Sequence, residues 1–561
     1  MNNLTDKQAK EITLKYLVAK YGQEQGANLF LANQSRLFDF HGLAWKLGQE
    51  CFPYFCNIFL YNLLFDFSGD NIPLSKTHYE IWQQLEDSII NHNGTKDCFI
   101  MPRGFGKSST ITVPLVIWVA LYGFHPFTVI SSATEAQAQN FINTIKIHIE
   151  DNRFIKSCFG EVIKPTFFKY NSSEIELDVQ PQRTKIQSVS ATSSVRGINY
   201  GAFRIGLLVL DDNQDEKQIL SEKACNDLVN RTNNGILKAL QAKNNHVVAL
   251  GTIQKRGDLY DYFAHNIGWR TRQEKCILVD NVDEYFANNE HWQKIKEILN
   301  TKSTNDNALF EAESYYLEHK EECDYPLIWD NYNCFDLAVE YFADSVSFKQ
   351  ERQCDINSLG EKRIKSLSAI SPLDIEQMEF TNTILSVDPA AVKKQKSDFS
   401  AFCVLSDTDT HIKYCRKAII TKVEFNEYID LIIQLLLKYP DIRILSIEKQ
   451  VYMSSDVLKL RERISTIPEL VNRPLTIINK SRTKNKDARI GAIIPDINLG
   501  RIIFNEDDTE AIEQIREFSG TAYTAHDDMI DALADAVENL SDSNNDVMPT
   551  LQVLDWSRFG L

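Results

Sequence analysis

The sequence predicts an α/β protein built from two successive α/β domains. Its 561 residues exceed what one hydrophobic core usually supports. Apolar, β-rich runs alternate with helical patterns twice, between about 72 and 270 and again from about 383. The composition is 43% hydrophobic and 24% charged, without a long low-complexity tract or a repeat of fixed period. It therefore argues against a solenoid and against a disordered scaffold.

The elements divide the chain into five predicted regions. Residues 1–71 have helical periodicity and many aromatics, which predicts a helical cap. Residues 72–280 form the first α/β region, a doubly wound sheet with the strand candidates DCFIM, FTVISS, KIQSVSA, IGLLVLDD and HVVALGT. Residues 281–378 are charged and helical, and we expect a lid or linker. Residues 379–540 form the second α/β region, with TILSVDPA, AFCVLS, HIKYCRKAII, IRILSIEK, LTIIN and RIIF as strands and a last helix from about 527. Residues 541–561 are predicted to be a flexible tail.

We find no signal for secretion or membrane insertion. The N-terminus, MNNLTDKQAKEITLKYL, carries charges of both signs and lacks an apolar core. The best candidate span, VPLVIWVALYGF, is shorter than the roughly 20 apolar residues a bilayer requires, so we predict a buried helix that leads into a strand. The eleven cysteines form no CxxC pairs, which predicts reduced, mostly buried thiols. We expect a cytoplasmic protein without a membrane partner.

The net charge of -17 argues against a protein that simply coats DNA, since such a protein neutralises phosphates with a basic surface. It does not exclude a DNA enzyme. Carboxylate clusters that bind metals add to the negative total, and basic residues concentrated in 479–489 (NKSRTKNKDAR) can supply a local groove.

The segment MPRGFGKSST (101–110) lies between a strand and an apolar helix, where a phosphate-binding loop is expected. Backbone N–H groups and a helix N-terminus face an anion at such a turn. Lys107 would reach the β- and γ-phosphates of ATP, and Ser108 would hold Mg²⁺. The spacing departs from GxxxxGK[ST], because Met101 stands where the first glycine belongs. The candidate nucleotide-binding residues here are Gly104, Gly106, Lys107, Ser108 and Ser109.

Two later strands complete this predicted site. The run IGLLVLDD ends in Asp211 and Asp212, the pattern of a buried strand that delivers a carboxylate to the water shell of Mg²⁺. The run HVVALGTIQKRGDLY contains a strand ending in Gly251 and Thr252, where Thr252 is suited to sensing the γ-phosphate.

The second α/β region carries three sets of carboxylates. Asp388 ends one apolar strand, with Asp398 after a basic turn, and Glu448 ends another. A helix then opens with Asp527, Asp528 and Asp531. Acids on neighbouring elements match the ribonuclease H-like arrangement, which holds two divalent ions about 4 Å apart, one activating water and one stabilising the leaving 3′ oxygen. Each acid alone could equally be a helix cap or a strand-end charge.

Over about 75 to 540 the chain resembles the large subunits of tailed-bacteriophage DNA-packaging terminases. The resemblance implies an N-terminal P-loop ATPase domain with a doubly wound sheet and a C-terminal ribonuclease H-like nuclease domain. It further implies ATP-driven translocation of viral double-stranded DNA into a procapsid and metal-dependent cutting of concatemeric DNA. The segments that carry the resemblance are PRGFGKS, VISSATEAQAQNF, SSVRGINYG, the LGT strand and HDDMIDALADA.

The resemblance also implies roles in the ATPase site. Arg103 and Arg196 become candidates for neutralising transition-state charge, although they could be a loop anchor and a surface turn. The family usually has Asp-Glu at the acidic strand, whereas this chain has Asp211–Asp212 followed by Glu216. Either Asp212 or Glu216 could be the base, and we favour Asp212. Gln84 occupies the place of an adenine-contacting glutamine, but an exposed helix glutamine is the alternative.

In the nuclease site the resemblance implies Asp388, Glu448 and Asp528 as core metal ligands. Asp398, Asp527 and Asp531 are secondary candidates, because the sequence does not say which of the tandem acids points at the metal.

The implied cofactors are ATP with Mg²⁺ and two Mg²⁺ or Mn²⁺ ions in the nuclease. The implied partners are double-stranded DNA, the portal protein of the procapsid and a small terminase subunit. We expect a monomer in solution and a homo-oligomeric ring on the portal, in a bacterial host cytoplasm.

Two other functions fit parts of the sequence. A helicase-nuclease or recombinase-type enzyme shares the two chemistries, but a helicase needs a second nucleotide-binding lobe between 270 and 380, and we see none. A non-catalytic DNA-binding packaging protein would carry decayed sites. The intact Lys107, Ser108, Asp211, Asp388 and Glu448 argue against decay.

Overall fold

The computed structural model divides the chain into two compact units. The N-terminal unit comprises 1–282, 325–334 and 348–359, and the C-terminal unit comprises 283–324, 335–347 and 360–561. The structure describes residues 4–64, 73–180, 182–193, 197–219, 222–300, 305–355, 358, 360–389, 399–448, 455–479, 486–521, 523–524 and 526–545.

The N-terminal unit begins with helices. A capping box between Thr5 and Gln8 starts the first of them. The aromatic side chains of the fourth helix are buried, and Phe52 stacks on Trp118 with ring centroids 4.7 Å apart. The helices are α1 Asp6–Tyr21, α2 Gln23–Asn33, α3 Leu43–Glu50, α4 Phe52–Phe59, α5 Tyr61–Leu64 and α6 Lys76–Asn91.

A seven-stranded sheet forms the centre of this unit, in the order β3-β4-β2-β5-β6-β1-β7. All neighbouring strands are parallel except β3 and β4. One strand, β6, therefore separates β1 from β5. The strands are β1 Gly94–Ile100, β2 Phe127–Ser132, β3 Glu174–Leu177, β4 Thr184–Ser190, β5 Leu207–Asp211, β6 Asn245–Gly251 and β7 Arg270–Gln273.

Six helices of this unit follow along the chain, and α7 is the most apolar of them. Every residue of α7 is buried, and the chain passes from it into β2, as the run VPLVIWVALYGF predicts. The helices are α7 Val113–Leu121, α8 Glu135–Asp151, α9 Arg153–Phe159, α10 Glu216–Ile219, α11 Glu222–Asn234 and α12 Leu259–His265, with a 3₁₀ turn at Ile236–Ala239.

Along the chain, residues 282–375 are mainly helical in the part that the structure describes. Its helices are α13 Val282–Asn288, α14 Glu290–Leu299, α15 Asn305–Glu318, α16 Lys320–Cys323, α17 Cys334–Ala343, α18 Ser345–Glu351 and α19 Pro372–Ile375. The segments 325–334 and 348–359 belong to the N-terminal unit.

A second seven-stranded sheet, in the order β13-β12-β9-β10-β11-β14-β8, forms the C-terminal unit. The strands β9, β10 and β11 are an antiparallel meander, and β12 and β13 continue the sheet parallel to β9. This is the ribonuclease H-like arrangement, so the predicted fold class is confirmed. The strands are β8 Ser368–Ile370, β9 Asn382–Asp388, β10 Ser400–Asp407, β11 Lys413–Thr421, β12 Ile444–Ile447, β13 Thr476–Ile478 and β14 Ile502–Asn505.

Helices pack against this second sheet. They are α20 Phe425–Lys438, α21 Ser455–Thr466, α22 Pro468–Val471, α23 Lys486–Asn498, α24 Thr509–Arg516 and α25 Asp528–Asn545. The last of them lies across β9 and β10 and buries Met529, Ile530 and Leu533. Among the described helices, none is long and apolar enough to cross a membrane.

Candidate functional sites

The loop that follows β1 is shaped to hold an anion. Gly104 has φ +81° and Gly106 has φ +77°, both in the left-handed region that glycine adopts without strain. Between them Phe105 is fully buried and stacks on the ring of His78 at 4.0 Å. A ring nitrogen of His78 lies 3.0 Å from the carbonyl oxygen of Phe105. The loop is therefore anchored on the core side, and a π-helical turn, Ser108–Thr112, follows it.

The predicted nucleotide residues converge at this loop. The Ser108 hydroxyl donates to one carboxylate oxygen of Asp211 at 3.0 Å, and the Thr112 hydroxyl donates to the other. Lys107 Nζ lies 3.4 Å from the Met101 carbonyl oxygen. Burial raises the pKa of Asp211 to about 7. The structure thus brings Lys107, Ser108 and Asp211 together, and it adds Thr112, which the motif does not include.

Asp212 differs from Asp211 in its environment. Its φ is +40°, an uncommon value for a residue with a side chain, and its side chain is exposed. Its N–H donates to the Leu250 carbonyl at 2.9 Å, and its carbonyl accepts from Ala133 N at 3.2 Å. Glu216 begins α10, but its side chain lies outside the described atoms. The choice between these two acids as the base therefore stays open.

Of two further predicted residues of this site, Arg196 and Thr252, the structure describes only Thr252. Arg196 lies outside the described residues. Thr252 is buried directly after β6, and its carbonyl accepts from Gln214 Nε2 at 3.4 Å. The preceding carbonyl, of Gly251, accepts from Met101 N at 3.2 Å, which joins the end of β6 to the start of the loop.

Arg103 is held by its backbone and leaves its side chain exposed. Its N–H donates to the Glu351 carbonyl at 2.8 Å. Its own carbonyl accepts from Tyr332 Oη at 3.1 Å and from Arg352 Nη1 at 2.6 Å. The Arg103 side chain is 73% exposed, and its Nη1 lies 3.9 Å from Glu351 Oε2.

The residues that hold Arg103 were not singled out from the sequence. Tyr332, Glu351 and Arg352 lie within 281–378, which we predicted as a lid or linker, yet these segments belong to the N-terminal unit. No local motif marks them. Burial raises the pKa of Glu351, although Arg103 and Lys107 oppose this shift.

Gln84 has a structural partner. Its side-chain amide donates to Asp97 Oδ1 at 2.9 Å, and Arg270 Nε donates to the same oxygen at 2.9 Å. Asp97 is fully buried, so these donors compensate its charge. The predicted contact of Gln84 with adenine stays a prediction.

In the C-terminal unit, strand register brings two predicted acids side by side. Strands β9 and β12 are parallel, with Val387 paired to Ile447. Asp388 and Glu448 are the next residues, and Glu448 N lies 3.3 Å from the Val387 carbonyl oxygen. Asp531 of α25 completes a cluster in which one carboxylate oxygen from each residue lies within 4.8 Å of the others.

This cluster fits a divalent cation. It offers carboxylate oxygens from two strand ends and one helix, the hard ligands that Mg²⁺ and Mn²⁺ prefer. Asp388 is 9% exposed and Asp531 is 3% exposed, so the charges of these two carboxylates are largely removed from water, while Glu448 is partly buried. Asp398, a secondary candidate, lies outside the described residues.

The helix supplies Asp531 to this group and not Asp528, which we expected as the core ligand. One turn further along α25, Asp535 Oδ2 accepts from Ser386 Oγ at 2.8 Å and from Ser446 Oγ at 2.6 Å. Residues four apart share a helix face, so this contact directs Asp531 towards the strand ends. Asp528, in the first turn, is only half-buried, and burial raises its pKa.

Two cations of α23 lie beside the acids. Arg489 Nη2 donates to Asp531 Oδ1 at 2.6 Å. Lys486 Nζ is 2.7 Å from Asp527 Oδ1 and 3.3 Å from Asp531 Oδ2. The sequence indicated a basic stretch here but did not predict that it pairs with the acids of the site.

Comparisons with known proteins return similarity at the level of structure. No family model matches the chain, and no curated protein sequence matches it. The large terminase of the thermophilic bacteriophage D6E is 10% identical with a TM-score of 0.42, over 84% of this chain and 99% of that chain. The HK97 bacteriophage large terminase is 11% identical with a TM-score of 0.31, over 85% and 98%. The manganese-soaked terminase nuclease domain of human cytomegalovirus is 13% identical with a TM-score of 0.24, over 31% and 90%.

Proposed function

We propose that this chain is the large subunit of a viral DNA-packaging terminase. In this role it drives double-stranded DNA into a procapsid with ATP and cuts concatemeric DNA in its C-terminal unit. The observation that carries the proposal is the pairing, within one chain, of a phosphate loop facing Asp211 with the Asp388, Glu448 and Asp531 cluster on a ribonuclease H-like sheet.

In the ATPase site each residue contributes a separate interaction. The amides around Gly104 and Gly106 bind phosphate oxygens, and Lys107 exchanges the Met101 carbonyl for the β- and γ-phosphates. Ser108 and Asp211 hold Mg²⁺, which when bound neutralises charge on those phosphates. Asp212, exposed at the end of β5, orients the attacking water, with Glu216 as the alternative.

In the nuclease site Asp388, Glu448 and Asp531 hold the divalent ions. Those ions, when bound, supply a water nucleophile and stabilise the leaving 3′ oxygen. Asp535 keeps α25 in place over β9 and β12 through Ser386 and Ser446. This contact preserves the spacing of the three ligands.

The partners follow from this function. We propose that the chain binds double-stranded DNA, the portal protein of the procapsid and a small terminase subunit, as a ring on the portal in a bacterial host cytoplasm. These assignments depend on the sequence resemblance. The exposed side chain of Arg103 is consistent with neutralising the charge of the γ-phosphate in the transition state, either within one subunit or in a neighbouring subunit.

A helicase-nuclease is the second candidate. A helicase needs another nucleotide-binding lobe between 270 and 380, and the described residues there form β7, α13–α19 and the short strand β8. A lobe with its own parallel sheet is not among them. This observation favours the terminase.

The test uses the full-length protein. ATP hydrolysis is measured alone, with double-stranded DNA, and with DNA plus portal-bearing procapsids, and plasmid cleavage is measured in Mn²⁺. We expect hydrolysis to rise with procapsids and DNA to become protected inside them. Strand separation of a forked duplex, without any response to procapsids, would instead identify a helicase-nuclease.

A further inference from the structure

Helix α23 places two cations, one buried and one partly exposed, beside the acids of the proposed nuclease site. The Arg489 side chain is 6% exposed, and the side chain of its partner Asp531 is 4% exposed. Lys486 is 35% exposed and lies at the first turn of the helix. The start of α23 is fixed by Asp487, whose carboxylate accepts from the N–H and the hydroxyl of Thr521 at 3.0 and 2.6 Å.

Arg489 fixes one oxygen of Asp531. The bond from Arg489 Nη2 to Oδ1 is short, and both groups are buried, so breaking this pair would leave an uncompensated charge. The remaining donors of the guanidinium, Nε and Nη1, are buried without a partner among the described residues. Separating Arg489 from Asp531 is therefore costly, and we expect this pair to persist when a metal binds.

Lys486 interacts with the other oxygen. Its ammonium lies 3.3 Å from Asp531 Oδ2 and 2.7 Å from Asp527 Oδ1. Asp527 belongs to the loop before α25 and is not one of the three clustered acids. Lys486 can therefore release Asp531 and keep an acidic partner, because its flexible stem moves the charge at small cost.

We propose that Lys486 is a displaceable cation that competes with the divalent metal for Asp531 and weakens metal loading in the absence of DNA. The proposal rests on the nuclease function proposed above. A metal that binds Asp531 must first break the Lys486 interaction, whereas a DNA phosphate near the cluster offers Lys486 a new anionic partner. Lys486 is thus a positioning residue that links metal occupancy to substrate.

The test measures Mn²⁺ affinity by the electron paramagnetic resonance signal of free Mn²⁺, with the nucleotide-free full chain. The variants are Lys486→Met, which removes the charge, and Lys486→Arg, which keeps it. Lys362→Met is the matched control, since Lys362 pairs with Glu517, both 55% exposed, in the same unit. Each is also measured with Asp388→Asn, so that only Mn²⁺ bound at the cluster is counted.

Without DNA, Lys486→Met is expected to bind Mn²⁺ about fivefold more tightly than the wild type, since a partly exposed ion pair no longer has to be broken. Lys486→Arg and Lys362→Met should stay within about twofold of the wild type. At saturating Mn²⁺, Lys486→Met should cut plasmid about tenfold more slowly, because the phosphate lacks its cation.

Unchanged or weaker Mn²⁺ binding in Lys486→Met would overturn the proposal while leaving the nuclease intact. If neither the wild type nor the variant shows Mn²⁺ binding that depends on Asp388, the metal site itself is wrong. The two failures are therefore distinguishable. Arg489 still compensates the charge of Asp531 in Lys486→Met, so this variant should fold. Lys486→Arg, which keeps the charge, separates the effect of the charge from that of any change in the side chain.

Discussion

Asp531 and Asp535 lie one turn apart on α25 and have different partners. Asp535 accepts hydrogen bonds from one serine hydroxyl of β9 and one of β12. Asp531 instead lies beside the carboxylates of Asp388 and Glu448 at the ends of these strands. The serines precede Asp388 and Glu448 by two residues, so they share a face of the sheet with them. Helix α25 is therefore aligned with both strands at two successive positions: Asp535 beside the serines and Asp531 beside the acids.

We predict that Asp531→Asn reduces Mn²⁺-dependent plasmid cleavage by a factor of order a hundred or more, because an amide lacks the charge that holds divalent ions. Asp528→Asn should lower it by less than about tenfold, since its carboxylate lies outside the cluster. Initial cleavage rates of the two purified variants provide the measurement. The reverse ranking would restore Asp528 as the ligand.

Arg103 supports a second prediction. Its backbone is held by Glu351 and Arg352, while its guanidinium is exposed. We expect Arg103→Ala to reduce ATP turnover by a factor of order 10³ with little change in nucleotide affinity, because the proposed role of the arginine is to neutralise transition-state charge. Turnover and the binding of a fluorescent ATP analogue are measured together. Loss of affinity at unchanged turnover would make Arg103 a ground-state anchor.

Sequence reasoning named most of the side chains that the structure brings together in the two candidate sites, but not which of the neighbouring acids joins them. Lys107, Ser108 and Asp211 follow from motif and strand pattern, and the structure brings them together. The sequence alone could not favour Asp531 over Asp528, because which of them joins the cluster depends on the hydrogen bonds of Asp535 with Ser386 and Ser446. Such contacts form between residues separated by 89 and 149 positions.

At the scale of elements, most of the strands that were predicted are buried, and β13 is the exception as a short, partly exposed edge strand. Apolar runs such as those of β2, β5 and β9 are nearly fully buried and readily identified. The strands that were missed, β3, β7 and β8, are short, lie at sheet edges and contain polar residues. β7, with the sequence RTRQ, exists because it pairs with β1, and no local preference announces it.

The entry to β2 contains a buried histidine with consequences for stability. His125 is 2% exposed, and both ring nitrogens have no partner among the described residues. Burial lowers its pKa to about 3, and the His246 ring, 5.1 Å away, adds to the shift. The ring lies so close to Gly206 that a Cβ there would be 2.6 Å from Nδ1. The folded protein therefore keeps His125 neutral.

This shift predicts acid sensitivity. The pKa in the folded state is below the unfolded value of about 6.5, so the stability present above pH 6.5 is lost as the pH falls towards 3. Between pH 7.5 and 5 the loss amounts to about 2 kcal/mol. His125→Phe should remove this part of the pH dependence of the free energy of unfolding, measured with urea. His265→Phe, on the exposed side of α12, is the control. An equal pH dependence in wild type and His125→Phe would contradict the assignment.

At the scale of the whole molecule, each α/β unit holds one of the two candidate sites. The phosphate loop, Asp211 and the segments that hold Arg103 belong to the N-terminal unit, and the carboxylate cluster with α23 belongs to the C-terminal unit. The net charge of -17 is compatible with this plan, because the carboxylates of the proposed metal sites are part of the negative total. The two chemistries should therefore be separable by single substitutions in the full chain.

Lys107→Ala should abolish ATP hydrolysis, because Lys107 is the side chain proposed to bind the β- and γ-phosphates directly, whereas Arg103 is proposed to act on the charge of the transition state. Plasmid nicking in Mn²⁺ should remain at the wild-type rate, because the carboxylate cluster is in the other unit. Both activities are measured on the same preparation. ATP hydrolysis near the wild-type rate would remove the basis for the phosphate loop.

The reciprocal change is Asp388→Asn. It should remove plasmid cleavage almost completely, because Asp388 ends β9 within 4.8 Å of Glu448 and Asp531 and an amide does not bridge cations as a carboxylate does. ATP hydrolysis should be unaffected. Folding should survive as well, since neutralising one of three mutually repelling carboxylates leaves the metal-free protein equally stable or slightly more so. A variant that still cuts plasmid at the wild-type rate, or that is unfolded by circular dichroism, would make Asp388 a structural strand-end residue and remove the main support for a nuclease.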